Sequence, residues 1–328
     1  MRACVLSEFG SVDNLAIGDA AEPTPGDGQV LIEVRAAGVT HADLLVIQGK
    51  YQSLPPLPFV PGKEIAGVVA ATGAGVTRFQ PGMRIMGIAE SGAYAQRAVV
   101  AQDDCFALPP SMSFVDAAAL GIAYQTAHIA LFDRGQYREG ETVLVNGASG
   151  GVGLAAVQVA KARGATVLAG LTTLTKAPLI LANGADHVID LSCGNLGDAV
   201  REQVYAVTAG RGADIVLDMI GGDVFDASLR ALAWRGRVVV IGFVGNRVAT
   251  LKTNYLLIKN IAVSGLFWDT YRAKVPGQVH AVQQDLFALY EAGKLKPPIM
   301  EVLPLESVQQ AFARISERQI VGRVILTM

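Results

Sequence analysis

Cysteine is scarce: Cys4, Cys105 and Cys193 are scattered and odd in number, and no C-x-x-C pair occurs. This excludes a disulfide framework and a cysteine-rich metal site, and it fits a reducing, cytoplasmic compartment. Charge is scarce too. Only 17% of residues are charged, and 27 Lys and Arg against 29 Asp and Glu leave a net charge of −2. Without a concentrated basic run, no nucleic-acid partner is expected. No uninterrupted apolar stretch approaches the ~20 residues of a membrane span. The opening MRACVLSEFG lacks the apolar core of a signal peptide, so a soluble protein with no membrane partner is expected. No internal repeat or low-complexity segment is present. What remains is a core-rich chain, 51% hydrophobic over 328 residues, long enough for two domains.

The most informative stretch is Val143 to Arg163, VLVNGASGGVGLAAVQVAKAR. An aliphatic run is followed by a loop of Gly, Ala and Ser, then by a helical pattern with one apolar face. Gly147, Gly150 and Gly153 recur every third residue, with Ala148, Gly151 and Val152 between them. Such a turn lets backbone approach a pyrophosphate with no Cβ in the way and aims helix-start N–H groups at the anion. Dinucleotide binding is the expectation.

Residues 1 to about 120 show short strands at Gln29–Ala36, Glu64–Ala70, Arg84–Ile88 and Tyr94–Val100, punctuated by Pro23, Pro25, Pro55, Pro56, Pro58, Pro61 and Pro81. That pattern predicts a mostly β, barrel-like domain. From Ser113 the texture changes, with helices predicted at 113–119 and 123–133. Strand and helix then alternate: strands at Val143–Val145, Thr166–Ala169, His187–Ile189, Ile215–Met219, Arg237–Ile241 and Ile261–Leu266, helices at Lys176–Asn183, Gly197–Thr208 and Phe225–Leu232. Alternation of this kind predicts a doubly wound parallel sheet. The tail adds helices near 275–292 and 305–317 and a strand at Arg323–Thr327.

Taken in order, AAGVTHADLLVIQGKY, VPGKEIAGVV, GAYAQ, NGASGGVGLAAVQVAKARGA, VLDMIGG and GRVIL resemble the medium-chain dehydrogenase/reductase superfamily, and within it the zinc-free quinone oxidoreductase branch. The resemblance implies an α/β chain with a GroES-like, mostly β substrate domain (1–122 and 269–328) and a Rossmann domain for NADPH (123–268). It puts the active site in the cleft and implies a homodimer paired through Ile261–Leu266. The zinc-dependent members carry Cys, His and Cys where this chain has Thr40, Lys63 and Ile122. An ammonium and an alkyl chain cannot ligate zinc, and the structural-zinc lobe is reduced to Ala89–Gly92, so no metal is expected. His41, beside the lost ligand position, is expected to be structural or solvent-facing. Lys63 has two readings: an ion pair with Glu64 or Asp43, or an ammonium filling the charge vacancy left by zinc.

NAD-specific Rossmann sites carry an acid at the end of the second strand. None occurs between Glu141 and Asp186; Thr172, Thr173 and Lys176 stand there instead. A carboxylate would repel a 2′-phosphate, whereas hydroxyls and an ammonium would bind it, so NADPH is the expected cofactor. By resemblance Lys176 matches the 2′-phosphate lysine and Arg323 a cofactor-facing base, while Leu191 stands where a tyrosine is frequent. Resemblance also sets Thr126, Ile241, Gly242, Phe243, Leu266 and Trp268 at the nicotinamide end, although Phe243, Phe267 and Trp268 would equally serve as core or dimer surface. The implied substrate pocket includes Thr40, Leu45 and Tyr51. Thr40 and Leu45 replace a common Asn and Tyr, removing polar groups that would orient a carbonyl. Tyr51 is the candidate proton donor or orienting group, and Thr40 and Lys63 complete the candidate catalytic set. The expected activity is NADPH-dependent, metal-free reduction of a quinone, with enone or 2-enoyl reduction, or a non-catalytic NADPH-binding role, as alternatives.

Overall fold

The fold was analysed in a computed structural model that describes residues 1–245, 247–317 and 321–328. Two compact units emerge. One comprises Met1–Ile122, Arg272–Glu291 and Lys296–Met328; the other comprises Ala123–Tyr271 and Ala292–Leu295.

The first unit begins with an antiparallel pair, β1 (Arg2–Leu6) and β2 (Leu15–Asp19). It continues with β3 (Gln29–Val39), α1 (His41–Ile47), β4 (Glu64–Thr72), β5 (Arg84–Ile88), β6 (Arg97–Ala101), β7 (Cys105–Ala107) and α2 (Phe114–Ala119). β3 is the hub, antiparallel to both β4 and β6. Register shifts between Leu31 and Ile32 and between Val34 and Ala36 lie along the β3–β4 ladder, where such irregularities bend and twist a sheet. One predicted strand is corrected: Tyr94–Val100 is Arg97–Ala101. Tyr94 precedes the strand because its backbone bonds Pro61 and Cys4 while its ring is fully buried.

The second unit opens with α3 (Ile122–Ile129), which passes into a π-helical turn at Ala130–Arg134 where sequence periodicity suggests one continuous helix. Then follow β8 (Thr142–Asn146), α4 (Gly151–Ala162), β9 (Thr166–Leu171), α5 (Ala177–Ala182), β10 (His187–Asp190), α6 (Leu196–Val207), β11 (Ala213–Asp218), α7 (Gly222–Ala231), β12 (Leu232–Val240), α8 (Asn254–Lys259) and β13 (Ala262–Gly265). The strands form one parallel sheet in the order β10-β9-β8-β11-β12-β13. Strand order therefore reverses between β8 and β11. Ligands of doubly wound sheets bind outside the carboxyl ends of the strands at such a switch point. β8 is buried along its whole length, as a central parallel strand covered on both faces must be. Each of its fully buried Val and Leu side chains contributes about 1.5–3 kcal/mol.

The chain then runs through α9 (Trp268–Lys274), α10 (Pro276–Glu291), β14 (Ile299–Pro304), α11 (Val308–Ser316) and β15 (Arg323–Thr327). β15 lies antiparallel to β3 and parallel to β14, completing a seven-stranded sheet in the first unit. Its core gathers Leu6, Ile32, Ile65 and Ile85 with Val324 and Phe312. Among the described residues, no helix is long and apolar enough to cross a membrane.

Candidate functional site

At the switch point the glycine loop joins β8 to α4. Gly147 has φ +74°, a left-handed conformation that favours glycine. The amides of Gly147 and Ala148 bond the Gly170 carbonyl at 3.1 and 3.2 Å, tying the loop to the end of β9. Gly153 is needed for a different reason. A Cβ there would stand 2.1 Å from the Gly147 carbonyl oxygen and 2.8 Å from the Ala148 Cα, so the first turn of α4 seats on the loop only without a side chain. Gly150 is the helix N-cap and provides no side-chain cap. Gly150 is exposed and Gly151 and Val152 half-buried. The first N–H groups of α4 lack intrahelical acceptors by geometry, and with the helix dipole they can hold a pyrophosphate.

Beneath the loop lies a polar network that sequence reasoning missed. The Asn146 side-chain amide, at the end of β8, donates to Asp218 at 3.0 Å and to Ser228 at 2.9 Å. Asp218, at the end of β11, accepts the Ile220 and Gly221 amides at 3.3 and 3.0 Å. All three side chains are fully buried, and burial pushes the Asp218 carboxyl above the usual carboxylate range. The network joins the two strands that diverge at the switch point. The available signal was positional: polar residues ending two otherwise apolar strands.

At the expected 2′ end, Thr172 and Thr173 are exposed after β9, and Lys176 is the half-buried N-cap of α5. Partial burial lowers the Lys176 pKa, which an anionic partner would oppose. The predicted helix Lys176–Asn183 is a 3-10 turn, Leu174–Lys176, followed by α5. Leu191 is buried, with its amide on the Leu171 carbonyl at 2.9 Å.

Of the residues assigned to the nicotinamide end, Ile241, Gly242, Phe243 and Leu266 follow the carboxyl ends of β12 and β13. Ile241 and Gly242 donate backbone N–H to the Asp218 carbonyl at 2.8 and 3.4 Å, and Leu266 to that of Val240 at 3.0 Å. Thr126 is buried in α3, whereas Phe243 and Phe267 are exposed. Trp268 is buried, and its indole N–H donates to Gln125 at 2.9 Å, anchoring α9 to α3.

In the first unit, Thr40 bonds Asp43, whose carboxyl feels the Lys63 charge, and the Lys63 ammonium lies over Tyr51. Thr40 caps α1 in a reciprocal box. Its hydroxyl accepts the Asp43 amide at 3.0 Å and donates to Asp43 Oδ2 at 2.6 Å, while the Thr40 amide donates to the same oxygen at 3.0 Å. The buried Tyr94 hydroxyl adds a third donor at 2.9 Å. Burial pushes the Asp43 carboxyl above its usual range; its hydrogen bonds to Thr40 and Tyr94 and the neighbouring Lys63 charge oppose that. Lys63 Nζ lies 5.2 Å from the centroid of the half-buried Tyr51 ring. His41 is exposed at the start of α1, and Leu45 is half-buried within it.

Glu64 serves a separate pair. One carboxylate oxygen bonds the Arg323 guanidinium, and the other accepts the Ile122 amide at 2.6 Å. A Cβ on Gly38 or Gly121 would come within 2.6–2.8 Å of this pair, so the two glycines make room for it. Arg323, expected to face the cofactor, is a buried counterion here, and burial pulls its pKa down to about 10. Of the two carboxylates named for Lys63, Glu64 is thus occupied by Arg323, and Asp43 feels the Lys63 charge. Among the described residues, no group of three or more His, Cys, Asp or Glu stands where it could hold a metal ion.

These features have close counterparts in known proteins. Residues 26–110 match the alcohol dehydrogenase GroES-like domain and residues 151–284 the zinc-binding dehydrogenase family. Quinone oxidoreductase-like protein 2 of Rattus norvegicus is 36% identical over 328 residues, covering 100% of this chain and 92% of the relative. The solved structure of mycobacterial Rv1454c complexed with NADPH superimposes with a TM-score of 0.92 at 28% identity, covering 100% of both chains. The CurK enoyl reductase superimposes at 0.87 with 28% identity, covering 100% of this chain and 99% of that one. With this identity along its whole length, and with a doubly wound sheet and a GroES-like sheet in one chain, the protein belongs to the medium-chain dehydrogenase/reductase superfamily of oxidoreductases, in its quinone oxidoreductase branch.

Proposed function

We propose that this chain is an NADPH-dependent reductase of quinones and related conjugated carbonyls that works without a resident metal. The observation that carries the proposal is the glycine turn at the β8–β11 switch point combined with Thr172 and Lys176, and no carboxylate, after β9. The loop fits a dinucleotide, because Gly153 admits no Cβ and the first amides of α4 are reachable. When bound, NADPH supplies a hydride from C4 of its dihydronicotinamide. The chain does the rest. Gly147, Ala148, Gly150, Gly151, Val152 and Gly153 hold the pyrophosphate, and Thr172 and Lys176 the 2′-phosphate. Thr126 and the backbone at Ile241, Gly242, Phe243 and Leu266 orient the nicotinamide, and Trp268 braces α3 behind them. Arg323 acts through Glu64 rather than by touching the nucleotide.

Thr40, Tyr51 and Lys63 form the acceptor site of the first unit. A delocalised acceptor spreads its developing negative charge, so a metal is dispensable where an unactivated ketone would need a Lewis acid. Similarity to an enoyl reductase supports a second reading, in which an enone or 2-enoyl compound is the acceptor. Following NADPH oxidation against quinones, enones and enoyl-CoA esters discriminates the readings. Turnover with quinones at metal-free stoichiometry is expected. Tight NADPH binding with no turnover on any of them would identify a binding protein, and stoichiometric zinc in an active preparation would overturn the metal-free reading.

We also propose a cytoplasmic homodimer, in keeping with the scattered free thiols. β13 is an edge strand, and Leu257 and Ile258 on α8 are 80% and 73% exposed. Apolar side chains beside an open strand edge favour pairing with another copy. Light scattering is expected to report twice the 34.3 kDa chain mass; a single-chain species at micromolar concentration would overturn this.

A further inference from the structure

We propose that the Lys63 ammonium is the electrophile that receives the negative charge developing on the acceptor oxygen, with Asp43 and Tyr94 as its positioning residues. The inference rests on the reductase reading above and assigns roles within its acceptor site.

Three observations carry it. Lys63 is only 8% exposed, and its ammonium sits over the Tyr51 ring. A buried lysine is costly without a compensating charge, and Asp43 supplies one. The neighbouring carboxylate, Glu64, bonds Arg323. Second, Asp43 is held with unusual firmness. The Thr40 hydroxyl, the Thr40 amide and the Tyr94 hydroxyl all donate to Oδ2, which fixes the carboxylate and with it the field in which the ammonium lies. Third, the turn carrying Lys63 is shaped around Tyr94. Gly62 has φ +94°, and a Cβ there would stand 2.6 Å from the Tyr94 ring. The Tyr94 ring also meets Phe312 edge-on at 6.1 Å.

A purely structural ion pair gives no reason for this arrangement, since well-packed apolar groups replace buried pairs with little loss. Thr40 and Tyr51, the latter under the Lys63 ammonium, are part-exposed. In the reaction a hydride, two electrons and one proton, passes from the dihydronicotinamide to the acceptor. The acceptor becomes a hydroquinone monoanion or an enolate, and the Lys63 N–H donates a hydrogen bond to its charged oxygen. A proton from solvent then completes the hydroquinone or the saturated ketone, leaving NADP+.

The test uses full-length Lys63→Met, Lys63→Arg, Tyr94→Phe and the Lys63→Met/Tyr94→Phe double variant. With methyl vinyl ketone as acceptor, Lys63→Met is expected to lower kcat on the order of 100-fold, with KM for NADPH unchanged. Lys63→Arg keeps part of the rate. With 1,4-benzoquinone the loss is smaller, because that ring delocalises the charge. Tyr94→Phe alone lowers kcat roughly five- to tenfold, and adds nothing in the Lys63→Met background. A readout independent of turnover is the binding of 4-nitrophenolate, followed by its absorbance; its Kd is expected to rise about tenfold in Lys63→Met, as for loss of one charge-assisted hydrogen bond. Wild-type turnover and phenolate binding in Lys63→Met would overturn the electrophile. A Tyr94→Phe loss that persists in the double variant would overturn the positioning role. Should the wild type reduce no acceptor, the reductase reading fails, and the phenolate titration alone decides whether Lys63 is an anion-binding group.

Discussion

Gly153→Ala is expected to raise the NADPH Kd on the order of 100-fold and to lower thermal stability by about 3 kcal/mol. The added methyl carbon would stand 2.1 Å from the Gly147 carbonyl oxygen and 2.8 Å from the Ala148 Cα. Both are backbone atoms, so no side chain can swing aside; loop and helix must separate. That moves the first amides of α4 away from any bound anion. Gly150→Ala provides the contrast. Gly150 has φ −78°, and its added carbon would come no closer than 3.5 Å to the Gly147 oxygen. Its thermal midpoint should match the wild type, while NADPH affinity falls because the methyl occupies the anion's approach. Differential scanning fluorimetry and quenching of NADPH fluorescence measure the two effects separately. Unchanged NADPH affinity in both variants would remove the loop from the nucleotide site.

Lys176→Glu is the second large effect. Losing a charge-assisted hydrogen bond costs about 1.5–3 kcal/mol, and reversing the charge adds repulsion. NADPH affinity should fall at least on the order of 100-fold, while NADH affinity changes less than about threefold. Added salt should weaken NADPH binding to the wild type and recover part of the loss in the variant, since it screens the attraction in the one and the repulsion in the other. The argument rests on placement. Lys176 caps α5 just past β9, the strand next to β8, and Thr172 and Thr173 are exposed beside it. Equal losses for NADPH and NADH would mean that Lys176 supports the fold of this turn rather than reading a phosphate.

The Asn146–Asp218–Ser228 network bears on both predictions. It joins the two strands between which strand order reverses, and its carboxyl holds the Ile220 and Gly221 amides. The first unit uses the same principle at Asp43, where donors from a helix cap and from a distant tyrosine converge on one oxygen. In each case a buried carboxylate is tolerated because several donors meet it.

Local chemistry alone determined the doubly wound unit: the apolar run of β8, the three-residue spacing of Gly147, Gly150 and Gly153, and the alternation to β13 are short-range signals of backbone geometry. The missing carboxylate after β9 was equally legible, because charge at one loop needs no partner to be recognised. β1, β2 and β14 were not foreseen, since strands of five or six residues acquire their identity only from the strands beside them. Tertiary structure also decided the ionic partners. Arg323 meets Glu64 across 259 positions of the chain, and Tyr94 meets Asp43 across 51. Ion pairs and buried hydrogen bonds depend on distance in space and on the loss of water around them, and neither is written in the order of residues.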